Sequence, residues 1–404
     1  MTKPAGKKSD KVRVALVGMG FGAAFVPIYL HHPDVACLGI VDSDEQKLRA
    51  VGDRFDVARR HTDLNEVLRS GEYDAVHLVT PIPLHAAQTI ATLESGKHCA
   101  CTVPMATNLK DLKAIVAATR RSGRNYMMME TAVYTRQFLY ARELVVSGRL
   151  GRIQFLRGAH YQDMENWPPY WAGLPPMHYA THAAAPCLAI ADTRAVKVHC
   201  LGSGVMREDL HRQYGNPFPI ETAIFELEKP NLAMEISRSL FHTARGYTES
   251  FLVYGEKMAF EWPQIENEEP VVFRMQPTAD GRFSQGRQAL MPACLGKKIA
   301  GRRGLPITAE RITAPDRQDL LPKEIARFTV RGKYDDTNPQ KSFETGGGHH
   351  GSHPHLVHEF IRSLVEGRKP WVDEVRAADW TAAGVCAHLS AMRGGKAVKV
   401  PGFE

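Results

Sequence analysis

At 404 residues with 44% apolar content, the chain is too long for one ordinary core and long enough for two, so two domains are expected. Its net charge of +7, from 51 basic and 44 acidic residues, is spread along the sequence, and the one cluster, Lys297-Lys298 with Arg302-Arg303, reads as a solvated loop rather than a nucleic-acid face. No apolar run approaches the roughly 20 residues of a membrane span and the seven cysteines are scattered, so a soluble cytoplasmic protein with reduced thiols is expected.

Beyond a tail expected to be disordered over 1–10, an apolar strand over 12–17 turns through Gly18-Met19-Gly20-Phe21-Gly22-Ala23 into an apolar helix. A second apolar strand over 36–41 ends at Asp42. This order is a dinucleotide site. A tight glycine turn lets the backbone approach a pyrophosphate, the helix start presents free N–H groups, and an acidic side chain about 20 residues on accepts from ribose hydroxyls. Gly18, Met19, Gly20, Phe21 and Gly22 are expected to cradle the cofactor. Asp42 would repel a 2′-phosphate, so NAD is favoured over NADP.

The alternation continues as helix 44–55, helix 63–70, strand 75–80, helix 84–95, strand 98–103, helix 108–121 and strand 125–130. That rhythm predicts a Rossmann-type, doubly wound parallel sheet over 11–135. From residue 152 the pattern changes. Strands at 153–158, 196–202, 222–228, 232–240 and 250–254 predict an α+β substrate-binding domain over 136–404 with an open, mainly antiparallel sheet. Within it, 263–345 reads as long loops, and 355–393 as helices packing back near the cleft.

Two further stretches follow the glycine turn: Val79-Thr80-Pro81-Ile82-Pro83-Leu84-His85, then Gly96-Lys97-His98-Cys99-Ala100-Cys101-Thr102-Val103-Pro104-Met105-Ala106. Their spacing resembles the glucose-fructose oxidoreductase/inositol dehydrogenase (Gfo/Idh/MocA) family, and the resemblance covers nearly the whole chain. It implies a dinucleotide domain plus an open-sheet domain, with Thr80, Pro81, His85, Thr102 and Pro104 at the nicotinamide pocket. Family dehydrogenases carry Glu-Lys-Pro where Thr102-Val103-Pro104 stands, and an aspartate where His178 stands. A lysine–aspartate–histidine proton relay therefore does not operate here unchanged. One branch fits better. Met128-Met129-Glu130, Tyr134, Gly148, Gly151-Arg152-Ile153, Gly158 and Tyr179-x-Thr181-His182-x-x-x-Pro186 resemble the NAD-dependent α-N-acetylgalactosaminidase group of glycoside hydrolases, which also lacks the lysine. That group's histidine after the Gly158 strand is Gln162 here, and its glycine after Thr-His is Ala183, which leaves the substrate open.

The resemblance implies a redox-neutral hydrolysis: NAD takes hydride from sugar C3, a base removes the acidified C2 proton, the C1 substituent leaves, water adds and the hydride returns. No carboxylate pair of the ordinary glycosidase kind stands out in the binding segments. His182 suits the base, Tyr179 the donor to an enolate oxygen, and His178 a relay. Glu130 is assigned to the cofactor, and Tyr134, Gln162, Trp171, His349 and His350 to the substrate, the last two from a glycine-histidine run expected to face the sugar. No metal is expected. The partners are a small carbohydrate or glycoside and a second copy of the chain through the open sheet, with no nucleic acid and no membrane. Two alternatives stay open: a net sugar or cyclitol dehydrogenase in which His182 or Tyr179 replaces the lysine, and a nucleotide-binding sensor without catalysis.

Overall fold

The computed structural model describes residues 11–262, 268–275 and 307–404. The tail over 1–10 and the basic pairs at 297–303 lie outside the described residues. Six strands, β1 (Val12–Val17), β2 (Val35–Val41), β3 (Arg59–His61), β4 (Ala75–Leu78), β5 (His98–Thr102) and β6 (Tyr126–Met129), form a sheet in the order β3-β2-β1-β4-β5-β6. Every neighbouring pair is parallel. Strands covered on both faces read as continuous apolar runs, and β4 and β6 are buried throughout.

The connecting helices are α1 (Val26–His31), α2 (Glu45–Phe55), α3 (Leu64–Arg69), α4 (His85–Glu94) and α5 (Leu109–Ser122). Their ends follow local chemistry. Asp44 caps α2 by accepting from the Gln46 and Lys47 N–H groups, and Asn108 caps α5 through Asp111 N. Gly123 ends α5 with φ +61°, a conformation that costs a glycine little.

After α6 (Arg136–Val146) the chain builds a second sheet from β7 (Ile153–Tyr161), β8 (Ala195–Ser203), β9 (Ile220–Leu227), β10 (Ala233–Ser239), β11 (Thr248–Gly255), β12 (Met258–Glu261), β13 (Val271–Met275) and β14 (Ile307–Arg311). A short ribbon pairs β15 (Gly332–Lys333) with β16 (Glu344–Thr345), and β17 (Val398–Lys399) closes the edge of the large sheet. Its order is β14-β13-β12-β11-β7-β10-β9-β8-β17, antiparallel except between β7 and β10. In β9 buried and exposed residues alternate, as expected of a sheet with one covered face.

The covering helices are α7 (Thr181–Ala191) and α11 (Glu374–Ala391); α8 (Glu208–Tyr214) buries none of its residues, and α9 (Lys323–Ala326) and α10 (Ser352–Val365) lie on α1. Helix α11 packs on both α5 and β8. The C-terminal helices thus join the two sheets, as Arg362–Asp34 (3.0 Å) and His32 Nε2 with His358 Nδ1 (3.0 Å) also do. No helix among the described residues is long and apolar enough to cross a membrane.

One expectation needs correction. The region 263–345 is not loop throughout, because β13 and β14 extend the second sheet with short runs that its charge and proline punctuation obscured. The Tyr179–His182 motif lies between β7 and β8, with His182 in the first turn of α7, an alanine-rich helix buried on every side.

Candidate active site

The N-terminal half of the cleft begins at the glycine turn. Gly18 has φ +93°, and a Cβ there would collide with the Val79 carbonyl oxygen. At Gly20, by contrast, a Cβ would meet nothing within 4 Å. The first glycine is needed for the close approach to β4's end, and the second leaves backbone open to a ligand, which fits a pyrophosphate cradle. Asp42 ties this turn to the end of β2: one carboxylate oxygen accepts from Met19 N at 2.7 Å, the other from Asp44 N at 2.9 Å.

The Thr80-Pro81 and Val103-Pro104 turns are joined by one side chain. His85, fully buried, places Nδ1 2.8 Å from the Pro104 carbonyl and Nε2 2.8 Å from the Thr80 carbonyl. Carbonyls only accept, so both ring nitrogens donate and the ring is an imidazolium. Burial opposes that charge, but the Cys101 sulfur and the two carbonyls outweigh it and push the ring up to about 9.

The C-terminal half rests on a row of ionisable residues crossing four strands of the second sheet. Arg238 on β10 sits opposite Glu221 on β9 and beside His160 on β7, which sits opposite Glu249 on β11. Directly opposed residues share a face, and all four are buried. The arginine donates to the Tyr179, His160 and Ser239 carbonyls and to Gln162 Oε1. Above this row stands His182. Its Nδ1 is 2.6 Å from Glu130 Oε1 and 3.5 Å from Glu249 Oε1. Its Nε2 is 3.3 Å from the Tyr179 hydroxyl.

Burial opposes a charge on His182, yet the attraction and hydrogen bond of Glu130, with Glu249 behind, raise its pKa above the ordinary value. Burial would likewise raise the Glu249 carboxyl, but the His349 hydrogen bond and the charge of His182 hold it down at about 2.

Between the two halves lies a cavity of 590 Å³. Phe21, Thr80, His85 and Thr102 line it from one side, and Gln162, Trp171, Tyr179, His182, His349 and His350 from the other. Phe21 also bridges the halves through edge contacts with His349 and His353, at 5.7 and 5.4 Å between ring centres. A larger cleft of 920 Å³, with Arg142 and Arg376 around Trp371, has no lining side chain with a buried unpartnered polar atom, so the site is not placed there.

Three assignments change. His178 points away from the cavity into a second buried cluster, its ring 4.9 Å from that of His388, which itself pairs with Glu221 at 2.7 Å. Burial pushes its pKa down to about 3, so it is no relay to the cavity. Tyr134 does not line the cavity either: it is buried against Trp371, ring centres 5.7 Å apart. Glu130 faces His182 and caps its own turn through Ala132 N (2.9 Å), so its bonds are to the histidine side rather than to a cofactor.

The absence of a carboxylate pair is also revised, since Glu130 and Glu249 both approach His182 Nδ1. Sequence reading missed Glu249, Arg238, His160 and Tyr247, the last lining the cavity with its hydroxyl donating to Glu249 Oε2 at 3.2 Å. Glu249 stands one residue outside the strand expected at 250–254, and the real strand starts at Thr248. The signal for Arg238 and His160 was masked, because their strands carry other polar residues, Gln154 and Arg157 in β7 and Glu235 and Ser237 in β10.

Residues 12–130 match the family described as "Oxidoreductase family, NAD-binding Rossmann fold". A 1-carboxy-3-chloro-3,4-dihydroxycyclohexa-1,5-diene dehydrogenase of Comamonas testosteroni is 28% identical over 38% of this chain and 38% of its own length. A glycosyl hydrolase family 109 protein of Streptomyces filamentosus is 22% identical over 98% of this chain and 78% of its own. For three curated relatives the matched part spans only 38%, 45% and 56% of their lengths. The solved structure of a levoglucosan dehydrogenase with NADH and levoglucosan superposes with a TM-score of 0.73 at 18% identity, covering 97% of this chain and 100% of that one, which shows a shared fold. Residues 12–130, with the glycine turn, Asp42 and the His85-clamped proline turns in place, thus match the oxidoreductase family with an NAD-binding Rossmann fold.

Proposed function

We propose that the protein is an NAD-dependent enzyme acting on a carbohydrate, and that it cleaves a glycoside by a redox-neutral cycle of oxidation at C3, elimination at C1, water addition and re-reduction. The observation that carries the carbohydrate reading is the polar lining of the cavity. Glu249 Oε1, both nitrogens of His160 and Trp171 Nε1 are buried without hydrogen-bond partners, beside the aromatic faces of Tyr170, Trp171 and Tyr179. Buried polar atoms are normally paired, and a polyol offers hydroxyls to such atoms and C–H faces to aromatic rings.

Bound dinucleotide would supply reversible hydride acceptance at the open side of the Gly20 turn. The chain's own groups handle protons. With Nδ1 of His182 donating to Glu130, Nε2 accepts from the Tyr179 hydroxyl, so a proton leaving the substrate has a path through Tyr179 to His182. Burial raises the Tyr179 pKa above the ordinary value, which suits a group that keeps its proton as donor to an enolate oxygen. Val103, in place of the family lysine, is buried and apolar and adds nothing to this path.

The competing reading, net oxidation of a free sugar or cyclitol, is favoured by the same Tyr179–His182–Glu130 chain, which works without a lysine. Aryl glycosides and free sugars tested together, with absorbance of reduced nicotinamide and product release both recorded, separate the two. Glycoside cleavage without accumulating NADH, and deuterium at C2 when run in heavy water, supports the hydrolase. Stoichiometric NADH from free sugar with no glycoside cleaved supports the dehydrogenase. This reading also includes a second copy docked on the open face of the large sheet, where Leu201 and Ile224 stand 63% and 46% exposed, and a reducing cytoplasm, in keeping with six free thiols among the described residues.

A further inference from the structure

We propose that the buried centre around His182 binds one divalent cation with Glu130, Glu249 and His182 Nδ1 as ligands, His349 and Thr131 at its edge, and a coordination position open to the cavity for a substrate oxygen. Glu130, His182 and Glu249 bring one ligand atom each within 4.8 Å of one another, all from buried side chains. The longer spacings fit those between the ligand atoms of one ion. His182 Nδ1 lies 3.5 Å from Glu249 Oε1, His349 Nδ1 lies 3.4 Å from Glu249 Oε2, and Thr131 Oγ1 is 3.5 Å from both ring nitrogens. Ligand atoms set about 2.0–2.2 Å from a tetrahedral ion stand about 3.3–3.6 Å apart. Only Glu130 Oε1, 2.6 Å from His182 Nδ1, is closer, and it has a second oxygen to offer.

That second oxygen is the independent sign. Glu130 Oε2 and Glu249 Oε1 are both buried with no hydrogen-bond partner, and His160, its ring centre 5.2 Å from that of His182, has both nitrogens unpartnered. Two desolvated carboxylates on one imidazole need positive charge close by. Arg238, a fixed cation of the neighbourhood, directs its donors to three carbonyls and Gln162. The donor set is nitrogen and oxygen with no sulfur, which suits a borderline or hard ion such as Zn2+ or Mn2+.

A cation here would polarise a sugar oxygen in the cavity. It engages the histidine through Nδ1 alone, so Nε2 would carry the ring proton and donate to the Tyr179 oxygen, reversing that hydrogen bond; the proton path into Nε2 described above would then operate only without the ion, and with it bound an ionised Tyr179 oxygen would take the substrate's proton. The assignment to substrate activation rests on the carbohydrate reading above, whereas the cation site itself does not.

The test is calorimetric titration of chelator-stripped full-length protein with Zn2+ and with Mn2+, alongside metal analysis of the protein as purified and dinucleotide binding followed by fluorescence. One equivalent per chain is expected for one of the two ions. Glu249→Gln and Glu130→Gln should each weaken it ~10-fold or more while dinucleotide binding persists, the latter showing that the variants are folded. Absence of binding to protein that still binds dinucleotide overturns the proposal, and would mean that a proton on His182 alone settles the charge. Binding unchanged in both variants overturns it as well. Stoichiometric metal without activity on any sugar would leave the site standing and remove the carbohydrate reading instead.

Discussion

In the N-terminal half of the cleft, both carboxylate oxygens of Asp42 and both ring nitrogens of His85 are matched to backbone partners, whereas across the cavity Glu130 Oε2, Glu249 Oε1 and both nitrogens of His160 have none. The first half is a finished scaffold: its polar side chains hold turns, and the backbone is what meets the ligand. The second half keeps its side chains in reserve. Buried polar groups left unpaired cost free energy, and a fold retains them where a ligand, ion or reacting group completes the set. On the reading proposed above, cofactor holding falls to one side and chemistry to the other, and substitutions on the two sides should fail differently.

The sharpest way to break that division is His182→Ala. If the chemistry sits on the second half, turnover should fall ~10^3-fold with dinucleotide affinity nearly unchanged. Steady-state rates beside a dinucleotide titration check both, and near-normal turnover would return His182 to a packing role. The mirror experiment is Gly18→Ala. Its φ of +93° and the collision with Val79 O leave no room for a methyl group. Dinucleotide affinity should drop ~100-fold, with a stability loss of ~1–3 kcal/mol, even though no reacting group has been touched.

The same division explains how much of the molecule was legible in its sequence. The parallel sheet was readable nearly element by element, because apolar strands, caps and glycines encode it locally: helix 108–121 against Leu109–Ser122, strand 98–103 against His98–Thr102. The cofactor side was readable for the same reason, each of its turns being a short contiguous motif. The chemical side was legible only in part. His182 and Tyr179 belong to one motif, but Glu249 and His349 reach them only through the sheet register and the turn before α10, and Thr131 meets His349 across 218 positions. Nothing in the sequence near Glu249 marks it. His178 was misplaced because proximity to the motif says nothing about which side of the 3-10 turn at Pro176–Tyr179 a side chain takes.

Acid and alkali should act on different groups. Burial holds His32, His98 and His355 down at about 4 and His77 at about 3. Such rings stay neutral when folded but take up protons when unfolded, so their stabilisation is complete above the unfolded value of about 6.5 and is lost as pH falls towards about 4. Each contributes a slope of ~1.4 kcal/mol per pH unit in that window. His85, raised to about 9, has the opposite sign: its clamp is fully present below the unfolded value and is lost as pH rises through about 9. Thermal melts from pH 4 to pH 10 with and without dinucleotide should show both flanks, the alkaline one coupled to dinucleotide affinity. A flat acid flank would mean that the histidines are not held neutral.

A smaller effect is expected at Asp42. Removing its carboxylate in Asp42→Ala loosens the Met19 and Asp44 N–H groups for either cofactor. It also removes the acceptor for a ribose hydroxyl and the repulsion of a 2′-phosphate, so NAD affinity should fall ~10-fold relative to NADP. Equal loss for both would reduce Asp42 to a brace for the glycine turn.

The smallest effect is expected at His178, where the boundary of the chemical half is drawn. Its neighbour in sequence, Tyr179, faces the cavity, but its own ring packs on His388, and that histidine holds Glu221, which in turn accepts from Met177 N at 2.8 Å. Glu221 is also the cross-strand neighbour of Arg238, so this second cluster supports the ionisable row from behind rather than reaching the substrate. His178→Asn should therefore leave turnover within ~2-fold, since a group outside the proton path makes no bond that strengthens in the transition state. It should still lower the melting temperature, because a buried ring is lost. Its contribution to the acid flank should disappear as well, the wild-type ring being held at about 3. A turnover loss comparable to that of His182→Ala, with the fold intact, would move the boundary and bring His178 back among the groups that handle the substrate's proton.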